Sequence, residues 1–291
     1  MRTAVRPFVR PEQCVLGLSG GADSLGLLAA ALVEGQQVHA VCVDHGLQAG
    51  SDAVAAMAAR IARSWGATAE VIAVDVPGGE GMEAAAREIR YQALTKSRQP
   101  VWVAHTMDDQ AETYLLAALR GNPAGMLPES SMHGVPLLRP LLSVRRADTL
   151  ACCAELGVQP WQDPHNDDLG FRRVAIRKKT IPDLGELIGG DAVAPLAQAA
   201  TRAAQQASYF AEVPAESDVD KLLHMHPAQR QAALAALIRQ EGGVVSSAVV
   251  QQVERLLTQW HGQGPVAIGA NKGQRVWLGR SGRQLGRNLG A

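Results

Sequence analysis

The feature that most constrains the fold of this chain is a glycine turn between an apolar run and a helical segment near the amino end. Residues 15–18 are mostly apolar and predict a short buried strand, and residues 25–32 predict a helix. Between them lies Ser-Gly-Gly-Ala-Asp-Ser at residues 19–24. Glycines permit backbone angles closed to other residues, and the following helix begins with free N–H groups and the positive end of its dipole. The arrangement predicts an anion site, most often one for phosphate.

This turn differs from the two commoner phosphate loops, because it has neither a lysine after its second glycine nor the G-x-G-x-x-G spacing. Ser19 and Ser24 add hydroxyl donors, whereas Asp23 suits a cation or a helix cap. A tight turn capped by Asp23 or Ser24 is the alternative without a ligand. The full run resembles the pyrophosphate-binding loop, SGGxDS, of the N-type ATP pyrophosphatases, which cleave ATP to AMP and pyrophosphate. The resemblance implies an ATP site formed by Ser19, Gly20, Gly21, Ala22, Asp23 and Ser24.

The composition is that of a globular chain. With 291 residues, of which 47% are hydrophobic, it has room for one large domain, or for a large and a smaller one. No apolar run reaches the roughly 18–20 residues of a membrane span, and the amino end lacks the apolar segment of a signal peptide. The four cysteines form no C-x-x-C pair, which argues against a disulfide framework and against a zinc or iron–sulfur site. We therefore expect a cytoplasmic protein with no membrane partner.

Strand and helix signals alternate over the first two-thirds of the chain. Predicted strands lie at residues 15–18, 38–43, 71–74 and 101–104, and predicted helices lie at 25–34, 51–65, 82–98, 108–120 and 144–156. This alternation is typical of an α/β fold with a parallel sheet flanked by helices. Later segments predict helices at 192–211, 227–240 and 247–260 and a hairpin at 265–268 and 275–279. We predict a catalytic domain at residues 1–185 and a smaller, mainly helical domain at 186–291, with a linker at 185–191.

Three polar clusters directly follow predicted strands: the glycine turn, Asp44-His45-Gly46, and a cluster that begins at His105. Ligands of parallel sheets bind beyond the carboxyl ends of the strands, so the clusters should share one edge of the sheet. For Asp44 and His45, a strand-ending turn is an almost equally good explanation. The convergence of the three polar clusters at one edge predicts an active site.

The last cluster continues into a helix whose acids, Asp108, Asp109 and Glu112, can share one face. Acids are favourable at a helix start, and this alone explains them. Beside a phosphate loop they are better interpreted as a pocket for a cationic substrate or as ligands for Mg²⁺, with Asp23 and Asp109 as the candidate pair.

The net charge is zero, but basic residues are unevenly distributed. Arg87, Arg90 and Tyr91 lie near one another on an Ala-rich segment and suit an unstacked base with its phosphates; a surface helix with a Glu83–Arg87 ion pair explains them as well. Residues 172–179 hold five basic residues and no acid, and residues 255–291 hold no acid. These segments predict local phosphate-binding surfaces, or solvated basic faces.

The polar blocks occur in an order that resembles the tRNA(Ile)-lysidine synthetase family. Besides the glycine turn and the Asp44 block, they are Glu-x-Ala-Ala-Arg-x-x-Arg-Tyr at 83–91, His-x-x-Asp-Asp-Gln-Ala-Glu-Thr at 105–113, Arg-Gly at 120–121, Arg-Pro-Leu-Leu at 139–142 and Asp-Pro-x-Asn-x-Asp at 163–168. The resemblance spans about residues 15–184. Members of the family use ATP to adenylate the wobble cytidine of a tRNA(Ile) with a CAU anticodon. The ε-amine of L-lysine then displaces AMP and gives lysidine.

The resemblance implies ATP and Mg²⁺ as cofactors, and L-lysine and tRNA(Ile) as substrates. It implies catalytic roles for Asp23, Arg87, Asp108, Asp109 and Glu112, and nucleotide contacts for Asp44, His45 and His105. It implies tRNA contacts for Arg90, Tyr91, Arg139, Arg172, Arg173 and Arg177. Two departures stand out: Thr106 replaces a frequent second histidine, and Val174-Ala175 interrupts a frequent Arg-Asn-Arg-Ile-Arg run.

Three other functions remain open on the sequence alone. A tRNA thiolase would share the ATP fold, but it would require cysteine pairs that this chain lacks. An amide-forming ligase such as an NAD⁺ synthetase does not explain the basic segments. A non-catalytic nucleotide-binding or RNA-binding protein would bind ATP or tRNA without releasing pyrophosphate. The second domain either grips tRNA, as the resemblance implies, or serves packing or homodimerisation.

Overall fold

The computed structural model of the chain describes residues 1–46, 50–77, 79, 81–271 and 274–287, with only the backbone described for Glu83, Asn271 and Gln274. Three features of the sequence thus lie outside the described part: Leu47 at the end of the Asp44 block, Lys272 in the segment without acids, and the predicted Glu83–Arg87 pair. The chain forms two compact units, Met1–Ala203 and Ala204–Ala291. This division falls later than residue 185, and the roles predicted for the two domains stay predictions.

The first unit contains a six-stranded sheet. Its strands are β1 Cys14–Gly17, β2 Val38–Asp44, β3 Thr68–Ala73, β4 Val101–Trp102, β5 Glu129–Met132 and β6 Val135–Leu138. The strand order is β3-β2-β1-β4-β6-β5, and every neighbouring pair is parallel except the β5–β6 hairpin. Leu16 of β1 pairs with Ala40 on one side and with Trp102 on the other. The predicted parallel sheet is confirmed.

Helices cover both faces of this sheet. They are α1 Arg2–Val5, α2 Ala22–Val33, α3 Ser51–Ser64, α4 Met82–Thr95, α5 Met107–Ala118, α6 Arg146–Glu155, α7 Arg172–Ala175 and α8 Ile181–Ile188. Neighbouring strand residues point to opposite faces, so Val15 packs in a cluster with Leu94 of α4, while Leu16 packs in a cluster with Leu25 of α2 and Ala58 of α3. Burial on both faces explains why the strands are apolar runs rather than alternating ones.

Two features of the first unit differ from the sequence-based prediction. The β5–β6 hairpin was not predicted; it turns at His133-Gly134, where both residues have positive φ, and it adds β6 to the sheet beside β4. The predicted linker at 185–191 is wrong in its first half, because α8 extends to Ile188 and ends at Gly189, whose φ is 67°. A single π-helical turn, Ile176–Thr180, joins α7 to α8.

Helix α9, Val193–Ala211, contains the boundary between the units. The second unit continues with α10 Val219–His224, α11 Pro227–Gln240, α12 Ser247–Thr258 and the strands β7 Val266–Asn271, β8 Gln274–Ser281 and β9 Gln284–Arg287. The strands form an antiparallel sheet in the order β7-β8-β9, so the predicted hairpin is present and gains a third strand. Its core includes Leu234, Leu256 and Val276. Across the described residues, no helix combines the length and apolar character that crossing a membrane requires.

Candidate active site

The glycine turn connects β1 to α2. Gly21 is the N-cap residue of α2, and no side chain caps the helix, so neither Asp23 nor Ser24 has the capping role of the ligand-free alternative. Gly20 has a φ of 83°, a value that favours glycine. The first helical N–H groups have no partner within a helix, and the bond from Leu25 N–H to Gly21 O is the first that closes a turn here. Amides at the start of α2 are therefore available to an anion.

The two serines of the turn stabilise its shape. Ser24 Oγ donates to Gly21 O at 2.9 Å and lies 3.2 Å from Ser19 Oγ. Ser19 N–H in turn donates to Ser24 Oγ at 3.3 Å. Both hydroxyls are thus held at the amino end of α2, beside its first amides.

The turn opens onto a cavity of about 460 Å³, within the roughly 300–1,000 Å³ typical of small-molecule sites. The predicted site residues that line it are Ser19, Asp23, Ser24, Asp44, His45, Arg87, Arg90, Tyr91, His105 and Asp109. The three polar clusters therefore share one edge of the sheet, as their positions after β1, β2 and β4 predicted. Trp161, Asp163 and His165 also line the cavity, and Trp161 N–H donates to Gly20 O at 3.0 Å.

The turn after β2 is connected to α4 across this cavity. Asp44 accepts hydrogen bonds from Ser51 Oγ at 2.6 Å and from Gly46 N–H at 3.0 Å, and these bonds lower the pKa of Asp44. Arg90 Nε donates to His45 Nε2 at 3.2 Å. Burial, with Arg90 nearby, lowers the pKa of His45 and favours the neutral ring that this bond requires.

Arg87 lies over a buried aromatic ring. Its Cζ is 5.1 Å from the centre of the Tyr91 ring, and Tyr91 is only 4% exposed. This is a cation–π arrangement. Tyr91 therefore supports the guanidinium group of Arg87, and the predicted contact of Tyr91 with tRNA stays a prediction.

His105 lies close to Asp109 at the edge of the sheet. Burial lowers the pKa of His105 to about 4, with Asp109 acting in the opposite direction. The ring is therefore neutral near pH 7. Its Nδ1 atom is buried and has no hydrogen-bond partner among the residues that the structure describes.

Asp109 is fixed through both carboxylate oxygens. Its Oδ2 accepts from Thr106 N–H and from Thr106 Oγ1, each at 2.8 Å, which completes a capping box at the start of α5. Its Oδ1 accepts from Arg146 Nη2 at 2.9 Å. Burial alone would raise the pKa of Asp109, but Arg146, His105 and the Thr106 amide outweigh it and hold that pKa below its usual value. Asp109 thus presents an anion to the cavity, and the Thr106 departure supplies a helix cap.

The other two acids of α5 are not among the residues that line the cavity. Asp108 accepts from Arg146 N–H at 2.8 Å and from Arg145 Nε at 3.3 Å. Glu112 is fully buried, and its carboxylate accepts from three arginines: Arg146 Nη1 at 3.1 Å, Arg173 Nε at 3.0 Å and Arg177 Nε at 2.7 Å. Arginines thus bind Asp108 and Glu112, and the catalytic roles predicted for the three acids stay predictions.

Arg146 was not identified from the sequence. It contacts Asp23 at 3.5 Å in addition to Asp109 and Glu112. Asp23 also accepts a short hydrogen bond from Thr149 Oγ1, and burial raises the pKa of Asp23 despite these partners. One signal could have identified Arg146: it begins α6, and a positive charge is unfavourable at a helix start unless acids offset it.

The basic residues predicted to contact tRNA differ in accessibility. Arg139 is 7% exposed and donates to Leu127 O at 2.8 Å and to Ser130 Oγ at 2.9 Å, so its guanidinium group is inside the unit. Arg173 and Arg177 bind Glu112, and Arg172 is exposed. Val174 is buried, which explains why an apolar residue is tolerated at that departure. The tRNA contacts themselves stay predictions.

Among the described residues, no group of three or more His, Cys, Asp or Glu side chains is arranged to hold a metal ion. Asp23 and Asp109, the predicted pair, both line the cavity. Proteins usually hold Mg²⁺ through one or two carboxylates together with substrate phosphates. Asp23 and Asp109 match that number of carboxylates, and substrate phosphates would supply the remaining oxygen ligands.

Comparison with known proteins identifies the family of this chain. The model of the PP-loop domain family matches residues 2–184. The chain is similar to proteins named tRNA(Ile)-lysidine synthase: one from Corynebacterium glutamicum is 48% identical, covering 98% of this chain and 93% of that protein, and one from Corynebacterium diphtheriae is 51% identical, covering 92% and 90%.

Among solved structures, the U34-tRNA thiolase NcsA from Methanococcus maripaludis, with its [4Fe-4S] cluster, superposes with a TM-score of 0.56 at 15% identity. The superposition covers 69% of this chain and 77% of that one. At this identity the likeness shows the fold alone. The sequence relatives are far closer, and the chain belongs to the tRNA(Ile)-lysidine synthase family of PP-loop proteins.

Proposed function

We propose that this protein is an ATP-dependent ligase that joins L-lysine to the wobble cytidine of a tRNA(Ile) with a CAU anticodon. The observation that supports it most is that the glycine turn and the anionic Asp109 line one cavity. The family supplies the identity of the substrates. The residues used below for the two chemical steps all lie within Met1–Ala203. Homodimerisation and a cytoplasmic location stay predictions.

In the first step, the ring carbonyl oxygen of the cytidine bonds to the α-phosphorus of ATP, and pyrophosphate leaves. The amides at the start of α2, with Ser19 and Ser24, are placed to hold the phosphates. Arg87 and Arg90 add positive charge at the cavity wall. Asp23, together with phosphate oxygens, would hold Mg²⁺ in this step, and the ion would supply charge neutralisation for the departing pyrophosphate.

In the second step, the amine of lysine replaces AMP on the activated carbon of the cytosine ring. A lysine side chain is cationic at neutral pH, so it must be bound as an ammonium and must lose a proton before it attacks. Asp109 is held as an anion on the cavity wall, which suits it to bind the ammonium group. Its lowered pKa makes it a weak base, so the proton is relayed through its carboxylate to solvent. Asp108 and Glu112 instead hold the arginines that support this wall.

The thiolase alternative does not fit the cysteines. Burial raises the pKa of Cys14 to about 12 and that of Cys42 to about 11, so neither is a thiolate at neutral pH. Cys152 and Cys153 are adjacent on α6, and burial raises their pKa values too. The proposed ligase reaction needs no thiol.

For the second unit, we propose a contact with the tRNA. Arg275, Arg283 and Arg287 are exposed on or beside its small sheet. Arg283 is paired with Asp220 at 3.1 Å. Exposed arginines suit a phosphate backbone.

The direct test incubates the protein with ATP, Mg²⁺, labelled lysine and tRNA(Ile) transcript carrying the CAU anticodon. Label should enter the tRNA with release of one AMP and one pyrophosphate for each lysine joined. A transcript with uridine at the wobble position is the matched control and should stay unlabelled. Binding of ATP and tRNA without pyrophosphate release would instead favour the non-catalytic alternative.

Replacing Gly20 by alanine should weaken ATP binding by about tenfold. A non-glycine residue at its φ of 83° is strained by roughly 1–2 kcal/mol, and its Cβ would lie 3.4 Å from Ala58 Cβ. Gly66→Ala is the matched control, because Gly66 has a φ of 95° and open space around it. Titration with ATP should show a loss for Gly20→Ala alone, while thermal unfolding shows a comparable cost for both. Equal affinity losses would mean that the turn has no special part in binding.

A further inference from the structure

The three nitrogen atoms of one guanidinium group, that of Arg146, each contact a different carboxylate. Nε lies 3.5 Å from Asp23 on α2, Nη2 lies 2.9 Å from Asp109, and Nη1 lies 3.1 Å from Glu112, both on α5. The guanidinium plane is rigid, so these three contacts set the positions of the acids relative to one another. Arg146 thus connects the helix of the glycine turn to the helix that carries the proposed ammonium ligand.

Arg146 acts from behind the cavity wall. It is not among the residues that line the cavity, whereas Asp23 and Asp109 are. Its side chain is 22% exposed, compared with 13% for Asp109 and 26% for Asp23. From this place Arg146 contacts the two carboxylates that line the cavity without lining it itself.

The two cavity acids depend on Arg146 to different degrees. Asp23 keeps a hydrogen bond from Thr149 Oγ1 when Arg146 is removed. Asp109 keeps Thr106 on its Oδ2, but the structure gives its Oδ1 a bond from Arg146. The other two arginines that bind Glu112 are already engaged: Arg173 donates to Glu112 and Thr113, and Arg177 donates to Glu112. Loss of Arg146 should therefore free the Asp109 carboxylate to turn, and should disturb Asp23 less.

We propose that Arg146 is the positioning residue of the amine-binding site: by bridging Asp23, Asp109 and Glu112, it orients the Asp109 carboxylate toward the ammonium group of lysine. This inference rests on the proposed function. It assigns Arg146 to the binding of the amine rather than to the binding of ATP.

The test measures steady-state kinetics of Arg146→Met and Arg146→Lys with ATP, lysine and the tRNA(Ile) transcript. For Arg146→Met, the KM for lysine should rise at least about tenfold, while the KM for ATP changes less than about threefold. Arg146→Lys keeps the positive charge but has one nitrogen in place of three. Its KM for lysine should therefore lie between that of the wild type and that of Arg146→Met. Arg6→Met is the matched control, because it removes an arginine paired with Glu34 on the exterior of the unit, and it should behave as the wild type.

A purely structural role for Arg146 would reduce the fraction of active protein and thus kcat, and would leave both KM values unchanged. That result in a folded Arg146→Met protein would overturn the inference, as would equal rises in the two KM values. If Arg146→Met does not fold, Arg146→Lys decides: an unchanged KM for lysine overturns the inference, and a selective rise supports it. A wild-type protein that forms no lysidine would instead refute the proposed function itself.

Discussion

Replacing Asp109 by asparagine is expected to lower the rate of lysidine formation by about 10²–10⁴-fold, the usual contribution of a positioned acid or base. Asparagine has nearly the shape of aspartate, and its carbonyl oxygen can still accept the two bonds from Thr106 that start α5. The variant loses the negative charge that Asp109 presents to the cavity. It can therefore neither bind an ammonium group as an ion pair nor accept its proton.

Single-turnover assays with labelled lysine measure this loss, and ATP titration with thermal unfolding shows whether the variant is folded. Asp52→Asn is the matched control, because Asp52 also lies in the first turn of a helix, α3, but is exposed. We expect it to retain wild-type activity. Activity of Asp109→Asn within about threefold of the wild type would remove Asp109 from the reaction.

Replacing Glu112 by alanine is expected to destabilise the protein by about 3–5 kcal/mol, the range for removing one partner of a buried ion pair. Glu112 is 0% exposed, and Arg146, Arg173 and Arg177 all donate to its carboxylate. Without it, three guanidinium groups are left close together and partly buried. The loss should therefore appear first as instability and only secondarily as lower activity.

Chemical denaturation of the full chain measures this effect. The matched control is Glu88→Ala, since Glu88 is 55% exposed and pairs with His133 at 3.0 Å. Such a surface pair contributes less than about 1 kcal/mol. If Glu112→Ala unfolds at the same denaturant concentration as Glu88→Ala, the arginine cluster is not what holds α5 to the neighbouring segments.

The sequence predicted the central strands because their physical signal is local. Val15 and Leu16 are both apolar since each packs against helices on its own face of the sheet. The β5–β6 hairpin carries a weaker signal: Ser130, Ser131 and Pro136 have low strand propensity. Its pairing with β4 is what makes it a strand pair, and no local pattern specifies that contact.

The candidate site shows the same limit. The positions of Asp108, Asp109 and Glu112 on one helix could be predicted from their spacing. Their partners could not, because Arg146 and Arg177 are 34 and 65 residues from Glu112 along the chain. The spacing thus identifies the acids, but only tertiary contacts show that Asp109 lines the cavity while Glu112 lies in a buried arginine cluster.

The interval between Asp109 and Glu112 has a consequence for how this chain can vary in length. Each residue of an α-helix turns the side-chain direction by roughly 100°. One inserted residue between them would leave Asp109 at the cavity and rotate Glu112 away from its three guanidinium partners. Insertions are accommodated far more readily in the connection between α5 and β5, whose residues are largely outside regular structure.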